Sequence, residues 1–158
     1  MSGIGKRLTD AGLALPEPMT PPPGLEFNFE LVRISGQYAY LSGHGPYDGT
    51  HPLVQGTVGA ELSVEQGYAA AGQAALSMLA SLQQVLGDLD RVTNWLKADV
   101  SVNAVPGFAH TTLVANGFSD LILNLWGPAG RHARSAPGVA ALPFNIPVVV
   151  DAVVEITG

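Results

Sequence analysis

The sequence predicts an α+β domain in which a mixed β-sheet carries two helices on one of its faces. Three observations support this prediction: two long segments with apolar residues at helical spacing, several short segments with alternating apolar residues, and the order of these segments. That order is strand, strand, a short strand, helix, strand, helix, strand, strand. A chain of 158 residues has the size of one domain with a real core.

Residues 1–26 are predicted to lead into this domain, which spans residues 27–158. A short helix is expected between Ser2 and Leu15. An extended arm follows, because proline fixes φ and cannot continue a helix. Its prolines are Pro16, Pro18, Pro21, Pro22 and Pro23. We expect this arm to be a connecting segment without chemistry of its own.

A β-hairpin is expected at the start of the domain. Its strands run from Phe29 to Ile34 and from Gln37 to Ser42, with a turn at residues 35–36. The glycine-rich segment 43–46 ends the second strand, and residues 53–58 are expected to add a short strand.

The first long helix is predicted to begin at Ser63 and to stop at Gly87. The hydroxyl of Ser63 can cap the helix, and Gln66, three residues later, completes a capping box. One apolar stripe follows at helical spacing: Tyr68, Ala71, Ala75, Met78, Leu79, Leu82 and Leu86.

A strand from Arg91 to Asn103 and a second helix opened by Pro106 follow. The strand is expected to place Val92, Leu96, Ala98, Val100 and Val102 on one face, and Trp95, Lys97, Asp99 and Ser101 on the other. The stripe of the helix comprises Phe108, Thr111, Ala115, Phe118, Ile122 and Leu125. Two more strands are predicted, one from about Arg134 and one from Pro147 to Ile156.

Two helices can cover only one face of such a sheet. The opposite face is predicted to mix ionic and apolar side chains: Lys97, Asp99, Asp151 and Glu155 with Trp95, Val149 and Val153. Because a mixed face of this kind is usually covered, we expect an oligomer whose sheets face one another. A content of 47% hydrophobic and only 13% charged residues agrees with this expectation.

The composition excludes several classes of function. Without cysteine there can be no disulfide, thiolate metal site or cysteine nucleophile, and a reducing cytoplasm is the expected location. A net charge of −6 argues against binding to nucleic-acid phosphates. No segment fits a signal peptide or a membrane span. Metal-ligand spacings, a dinucleotide fingerprint and a serine-hydrolase elbow are absent from the sequence, so we expect no metal and no cofactor.

The most informative motif is the run from Gly130 to Val139. It places Arg134 at the entry of an apolar strand, in a chain with only 7 Lys and Arg residues. The planar guanidinium of arginine matches the two oxygens of a carboxylate. Arg134 is therefore a candidate carboxylate ligand, and the alternative is an ion pair with an acidic residue across a subunit interface.

With two further motifs, this run makes the chain resemble the reactive-intermediate deaminase (RidA/YjgF, or endoribonuclease L-PSP) family, in particular its chorismate-mutase-like subgroup. The motifs are YLSGHGP (40–46), VANGFSDL (114–121) and GRHARSA (130–136) through Leu142-Pro143. The resemblance covers about residues 27–156. It implies a homotrimer with a central barrel and ligand clefts between subunits. It also implies hydrolysis of enamines and imines, formed from amino acids, to 2-oxo acids and ammonia without a cofactor.

The resemblance also implies roles for individual residues. Arg134 corresponds to the arginine that binds the substrate carboxylate. Ser42 and Gly43 correspond to the strand end that lines the cleft. Ala136 matches a position whose backbone contacts the ligand, and Phe29 matches a tyrosine that helps to close the cleft.

Val149 departs from the family pattern, since active deaminases have a glutamate there that positions the hydrolytic water. Asp151 lies two residues later on the same strand face, and it is a candidate to replace that carboxylate. Alternatively, Asp151 pairs with Lys97 or Arg131 inside the oligomer.

Two further residues are assigned to the site with a structural alternative for each. The imidazole of His44 lies next to the expected cleft and either binds ligand or hydrogen-bonds backbone. The ring of Phe118 either walls the cleft or packs in the core. For His132, a ligand role and the capping of carbonyls at the end of the second helix both remain open.

Three functions follow from the sequence. The first is a trimeric imine or enamine deaminase. The second is a non-catalytic trimer that binds small carboxylates, which the replacement of the glutamate by Val149 favours. The third is the RNA cleavage or translation inhibition attached to the family name, against which the acidic charge argues.

Overall fold

The structure of the chain, a computed structural model, describes residues 3–158. Within these residues it has three α-helices and eight β-strands. The helices are α1 (Gly3–Asp10), α2 (Val64–Leu86) and α3 (Thr111–Trp126). The strands are β1 (Val32–Ser35), β2 (Tyr38–His44), β3 (Tyr47–Asp48), β4 (His51–Pro52), β5 (Val92–Asn103), β6 (Ala133–Ser135), β7 (Gly138–Val139) and β8 (Val148–Ile156).

Six of these strands form one mixed sheet, which confirms the predicted fold class. The order is β1-β2-β8-β5-β6, and β7 also pairs with β5. The central pairs are antiparallel, whereas β6 and β7 run parallel to β5. The last strand, β8, therefore lies between the first hairpin and β5, so that it joins the two halves of the chain.

The helices α2 and α3 share the hydrophobic core with the sheet. The predicted capping box of α2 is present, with the Ser63 hydroxyl accepting from the Gln66 N–H, and Gly87 ends the helix with a positive φ of 83°. Gly117 of α3 lies against the backbone carbonyl of Tyr68 in α2, where a side chain has no room. This close crossing holds α3 in a fixed position over β5.

The N-terminal helix α1 is shorter than predicted and is part of the fold. It ends at Asp10, and Ser2 of the expected helix lies outside the described residues. Ile4 and Leu8 are buried in the core. The N–H groups of Gly3 and Ile4 donate to the carboxylate of Asp90 at 2.8 and 2.9 Å.

The predicted faces of β5 are wrong for two residues. Trp95 lies in the core with 1% of its surface exposed, while Leu96 is 38% exposed. The pairing of β5 with β8 is irregular between Trp95 and Lys97, so the alternation shifts by one residue there. Beyond this bulge, Lys97, Asp99 and Ser101 are partly exposed as predicted.

Several predicted boundaries also move. The second long helix begins at Thr111, because Pro106 lies in a turn closed by the Phe108 N–H and the Val105 carbonyl. The first hairpin strand begins at Val32, so Phe29 precedes the sheet. The short strand expected at 53–58 is replaced by the β3-β4 ribbon.

The face of the sheet opposite α2 and α3 carries the predicted mixture of side chains except Trp95, which lies in the core. Along β8 buried residues alternate with the exposed Asp151 and with three partly exposed residues, Val149, Val153 and Glu155. Asp151 stands opposite Asp99, whose carboxylate pairs with Lys97 at 3.1 Å. We call the face of the sheet opposite α2 and α3 the open face. None of the helices within residues 3–158 is long and apolar enough to cross a membrane.

Candidate functional site

Arg134 points away from the open face and toward α3. It lies in β6 opposite Ala98, a fully buried residue of β5, and neighbours in register place their side chains on the same side of a sheet. Its Nη1 donates to Asn116 Oδ1 and to Ser119 Oγ, both at 2.9 Å. Asn116 and Ser119 are three residues apart in α3, so they lie on one helix face.

A hydrogen-bonded chain continues from Ser119 to the loop before β6. Ser119 Oγ lies 2.9 Å from His132 Nε2, and His132 Nδ1 lies 2.7 Å from the Gly130 carbonyl oxygen. A carbonyl can only accept, so Nδ1 carries a proton, and Ser119 donates to Nε2 while it accepts from Arg134. This arrangement fits a neutral imidazole. Burial is the main cause that lowers the pKa of His132, and the positive charge of Arg134 lowers it further.

The guanidinium of Arg134 has unused donors. Among residues 3–158, no carboxylate forms an ion pair with it, and its hydrogen bonds to protein both come from Nη1. The side chain is partly exposed. A guanidinium that is held at Nη1 and free at Nη2 and Nε is suited to a carboxylate, because two parallel N–H groups remain available.

His44 is a core residue, and the expected ligand contact is wrong for this side chain. It is fully buried, and its Nε2 lies 2.9 Å from the hydroxyl of Ser81 in α2. Its Nδ1 donates to the Ser42 carbonyl at 2.7 Å, which is the backbone alternative considered for it. Burial lowers the pKa of His44 to about 4, so the ring is neutral at physiological pH.

Phe118 is also a core residue. It is fully buried, and its ring packs edge-on against Trp95, with centroids 5.9 Å apart. It therefore does not wall a cleft. Its ring also packs edge-on against the imidazole of His132, with ring centroids 5.7 Å apart. Phe118 therefore supports the hydrogen-bonded group of Arg134, Ser119 and His132 from the core side. Ala136 is partly buried and packs against the core.

Ser42, Gly43 and Phe29 lie on the other side of the sheet from the Arg134 network. The Ser42 hydroxyl donates to the Glu30 carbonyl at 2.7 Å. A side chain at Gly43 would come within 2.8 Å of Val149 Cγ1, so this position requires glycine. Phe29, Gly43 and Val149 line a common cavity of about 290 Å³, which we call the apolar cavity.

Strained backbone borders the apolar cavity. Phe144 and Asn145 have positive φ values of 57° and 56°, a conformation that costs a residue other than glycine about 1–2 kcal/mol. Two hydrogen bonds hold this backbone conformation. Gln55 Nε2 donates to the Phe144 carbonyl, and the Gly56 N–H donates to the Asn145 carbonyl. These bonds hold the backbone of Phe144 at the edge of the cavity, and the residue stays about half exposed, at 51%.

Asp151 and Arg134 are not brought together within one chain. Asp151 is exposed on the open face, two residues from Val149, whereas Arg134 points toward α3. Asp151 is not paired with Arg131 among the described residues; it faces Asp99. Partial burial, followed by the charge of Asp99, raises the pKa of Asp151, and Lys97 opposes this effect.

Comparison with known proteins identifies the family. A family model described as "YjgF/chorismate_mutase-like, putative endoribonuclease" matches residues 5–156. The chain belongs to this YjgF/chorismate-mutase-like family. A protein of Trypanosoma cruzi called "Protein TCP17" is 42% identical over 97% of this chain and 94% of its own length.

Solved structures agree with this YjgF/chorismate-mutase-like assignment. The protein Atu1372 of Agrobacterium tumefaciens, of unknown function, has a TM-score of 0.89 and 38% identity, covering 98% of this chain and 93% of its own. A "putative endoribonuclease" from Shewanella oneidensis has a TM-score of 0.88 and 33% identity, covering 97% and 99%. RidA from a Psychrobacter species, at 21% identity and a TM-score of 0.55, shares the fold and covers 85% and 93%.

The two residues that hold Arg134 in this YjgF-like chain were not predicted from the sequence. Asn116 and Ser119 belong to a motif that carries the resemblance, and their spacing of three residues in a helix was a usable signal. The link from Ser119 to His132 could not be read from the sequence, because it depends on how α3 crosses the sheet. Residues 3–158 contain no cluster of histidine and acidic side chains placed to hold a metal ion.

Proposed function

We propose that this protein binds a small 2-oxo or 2-imino carboxylate, with Arg134 as the carboxylate ligand. The observation that carries the proposal is the guanidinium of Arg134, which Asn116 and Ser119 hold at Nη1 and which has no acidic partner in residues 3–158. An arginine fixed in this way loses little conformational entropy when it binds an anion. Backbone groups near Ser42, Gly43 and Ala136 are proposed as further contacts.

The proposed site takes residues from two copies of the chain. Arg134 lies on the helix side of the sheet, whereas Gly43 and Val149 lie at the apolar cavity on the open face. One ligand can therefore reach both groups only where two chains meet. This arrangement supports the homotrimer with a central barrel that the family resemblance implies, in which the open faces are covered.

Hydrolysis of an imine or enamine is a second candidate function. The apolar Val149 can neither position nor deprotonate a water molecule. Asp151 lies on the same strand face, and its raised pKa, caused mainly by partial burial, makes its carboxylate a stronger proton acceptor than that of an ordinary aspartate. A net charge of −6 continues to argue against RNA as the ligand.

The binding proposal is tested by calorimetry with pyruvate and related 2-oxo acids. Replacement Arg134→Ala should weaken binding by roughly 10- to 150-fold, since a hydrogen bond to a charged group contributes about 1.5–3 kcal/mol. Arg131→Ala is the matched control, because Arg131 is an exposed arginine three residues earlier. An unchanged Kd in the Arg134 variant would show that the carboxylate binds elsewhere.

Two further measurements separate the candidates. Ammonia release from imino acids generated in solution should exceed the rate in buffer if the protein is a hydrolase, and Asp151→Asn should remove the excess. Equal rates would remove the hydrolase candidate and leave the binding function. Light scattering tests the two-copy site, since a monomer that binds with the affinity of the assembled protein would contradict it.

A further inference from the structure

The apolar cavity has a composition that defines what it can accept. All of its lining residues are uncharged: Met19, Thr20, Pro22, Phe27, Phe29, Gly43, Gly45, Tyr47, Leu142, Pro143, Phe144, Ile146 and Val149. Among the lining residues that the structure describes, Thr20 and Tyr47 alone carry hydroxyl groups, and Tyr47 is itself buried. A charged group placed here would lose its hydration without gaining a partner. An apolar group would instead exchange water for apolar contacts.

The cavity is built from three separate parts of the chain. The proline-rich arm, through Met19, Thr20 and Pro22, supplies one wall together with the segment that follows it, where the rings of Phe27 and Phe29 stack with centroids 5.0 Å apart. The end of β2 and the start of β8 supply the floor, where Gly43 meets Val149. The loop before β8 supplies the opposite wall, where Phe144 is held in a left-handed conformation. Strained backbone of this kind is concentrated at ligand sites.

The volume of the cavity indicates the size of its occupant. An apolar cavity of about 150 Å³ is large enough to bind benzene. A volume of about 290 Å³ therefore has room for an aromatic ring or a branched chain together with the carbons that link it to a polar head.

From these observations we infer that the apolar cavity receives the side chain of the carboxylate ligand, and that the protein selects 2-oxo or 2-imino acids with bulky apolar side chains over the smallest members of the class. This inference rests on the proposed function, because Arg134 of a neighbouring copy would hold the carboxylate. It assigns the proline-rich arm a role in specificity, since Met19, Thr20 and Pro22 form part of the wall.

A series of 2-oxo acids measures the selectivity directly. From pyruvate to ketoleucine, affinity should increase about fourfold for each methylene that becomes buried. Phenylpyruvate should bind roughly 10- to 150-fold more tightly than pyruvate, as expected for burial of a whole aromatic side chain. Equal Kd values across the series would overturn the inference while leaving the proposed function intact. Absence of binding by every acid would overturn the proposed function.

Two variants test the location of the selectivity. Val149→Asp places a carboxylate in the cavity and should remove the preference for phenylpyruvate. Val153→Asp is the matched control, because Val153 is a partly exposed valine of the same face of β8 outside the cavity. Phe144→Gly removes the ring at a position whose φ suits glycine, so it should fold and should lower the preference about tenfold or more. A preference unchanged in both cavity variants would overturn the inference.

A probe without a carboxylate makes the test independent of Arg134. In the Arg134→Ala variant, benzyl alcohol should still shift the NMR signals of the Val149 methyl groups and not those of Val153. If these signals do not respond in the assembled protein, the cavity is filled by a second copy of the chain or by the arm itself, and the inference is wrong.

Discussion

His44 and His132 make the same pair of hydrogen bonds in different surroundings. In each ring, Nδ1 lies 2.7 Å from the carbonyl oxygen two residues earlier, and Nε2 lies 2.9 Å from a serine hydroxyl. His44 is fully buried, and its partner Ser81 belongs to the core. His132 is partly buried, and its partner Ser119 also accepts from Arg134.

The comparison shows that a local hydrogen-bond pattern does not define a role. In both imidazoles burial lowers the pKa, and the hydrogen bond from Nδ1 to a carbonyl opposes this effect. What differs is the group that the serine contacts next. The pair of His44 and Ser81 connects β2 to α2 and ends there, so it stabilises the fold. The pair of His132 and Ser119 ends on Arg134, so it positions the proposed carboxylate ligand.

The pH dependence of stability gives the largest expected difference between the two histidines. The pKa of His44 is about 4 in the folded chain and 6.5 in its usual state, so the unfolded chain takes up a proton at higher pH than the folded chain. Stability from neutral His44 is therefore complete above pH 6.5 and is lost as the pH falls toward 4. The loss should reach about 3 kcal/mol, since one pKa unit corresponds to about 1.4 kcal/mol.

Urea unfolding between pH 6.5 and 4, at fixed protein concentration, measures this loss of unfolding free energy. His44→Gln should remove most of the pH dependence, because glutamine does not titrate. His132→Gln should remove a smaller part, since burial lowers the pKa of the less buried ring as well. If the free energy of unfolding depends on pH in the same way in wild type and in His44→Gln, the expected difference between the two histidines is wrong.

Replacing Ser81 or Ser119 with alanine should separate effects on the free energy of unfolding from effects on ligand affinity. Ser81→Ala leaves Nε2 of the buried His44 without a donor, which should lower the free energy of unfolding by about 1–3 kcal/mol. The affinity for a 2-oxo acid should not change, because Ser81 lies in the core away from Arg134. A higher Kd in this variant would connect His44 to the ligand and would contradict the distinction between a structural His44 and a His132 that positions Arg134.

Ser119→Ala should have the smaller effect on folding and a measurable effect on binding. Arg134 keeps its bond to Asn116 but loses the second restraint on Nη1. A neutral acceptor of this kind contributes about 0.5–1.5 kcal/mol, so binding should weaken by roughly 2- to 12-fold. Calorimetry with phenylpyruvate measures this change, and Ser119→Thr, which retains a hydroxyl, should restore most of the affinity.

Local patterns predicted much of the fold. The capping box of Ser63 and Gln66 and the glycine at position 87 gave both ends of α2 correctly. Alternation along the last strand placed Val149 and Asp151 on the open face. These features depend only on backbone periodicity and on bonds between residues a few positions apart. Where a bulge interrupts the periodicity, as at Trp95 and Leu96, the same reasoning assigned the wrong faces.

The candidate site was predictable only in part. Arg134 lies in a strand beside the core, as expected, because charge in an apolar run is visible in the sequence, and its role as a carboxylate ligand stays a prediction. His44 and Phe118 were assigned to the cleft, yet His44 is buried against α2, and Phe118 points from α3 into the core against Trp95. Their environment depends on which helix covers them, and no pattern of neighbouring residues contains that information.

The sequence by itself determined the family, the sheet with helices on one face, and Arg134 as the cationic group beside a core strand. Only the tertiary structure decided that His44 is structural and that Arg134 is held by Asn116 and Ser119. It also placed Arg134 and the apolar cavity on opposite sides of the sheet. The physical reason is that periodicity fixes the face on which a side chain lies, whereas the crossing of distant segments fixes what that side chain contacts.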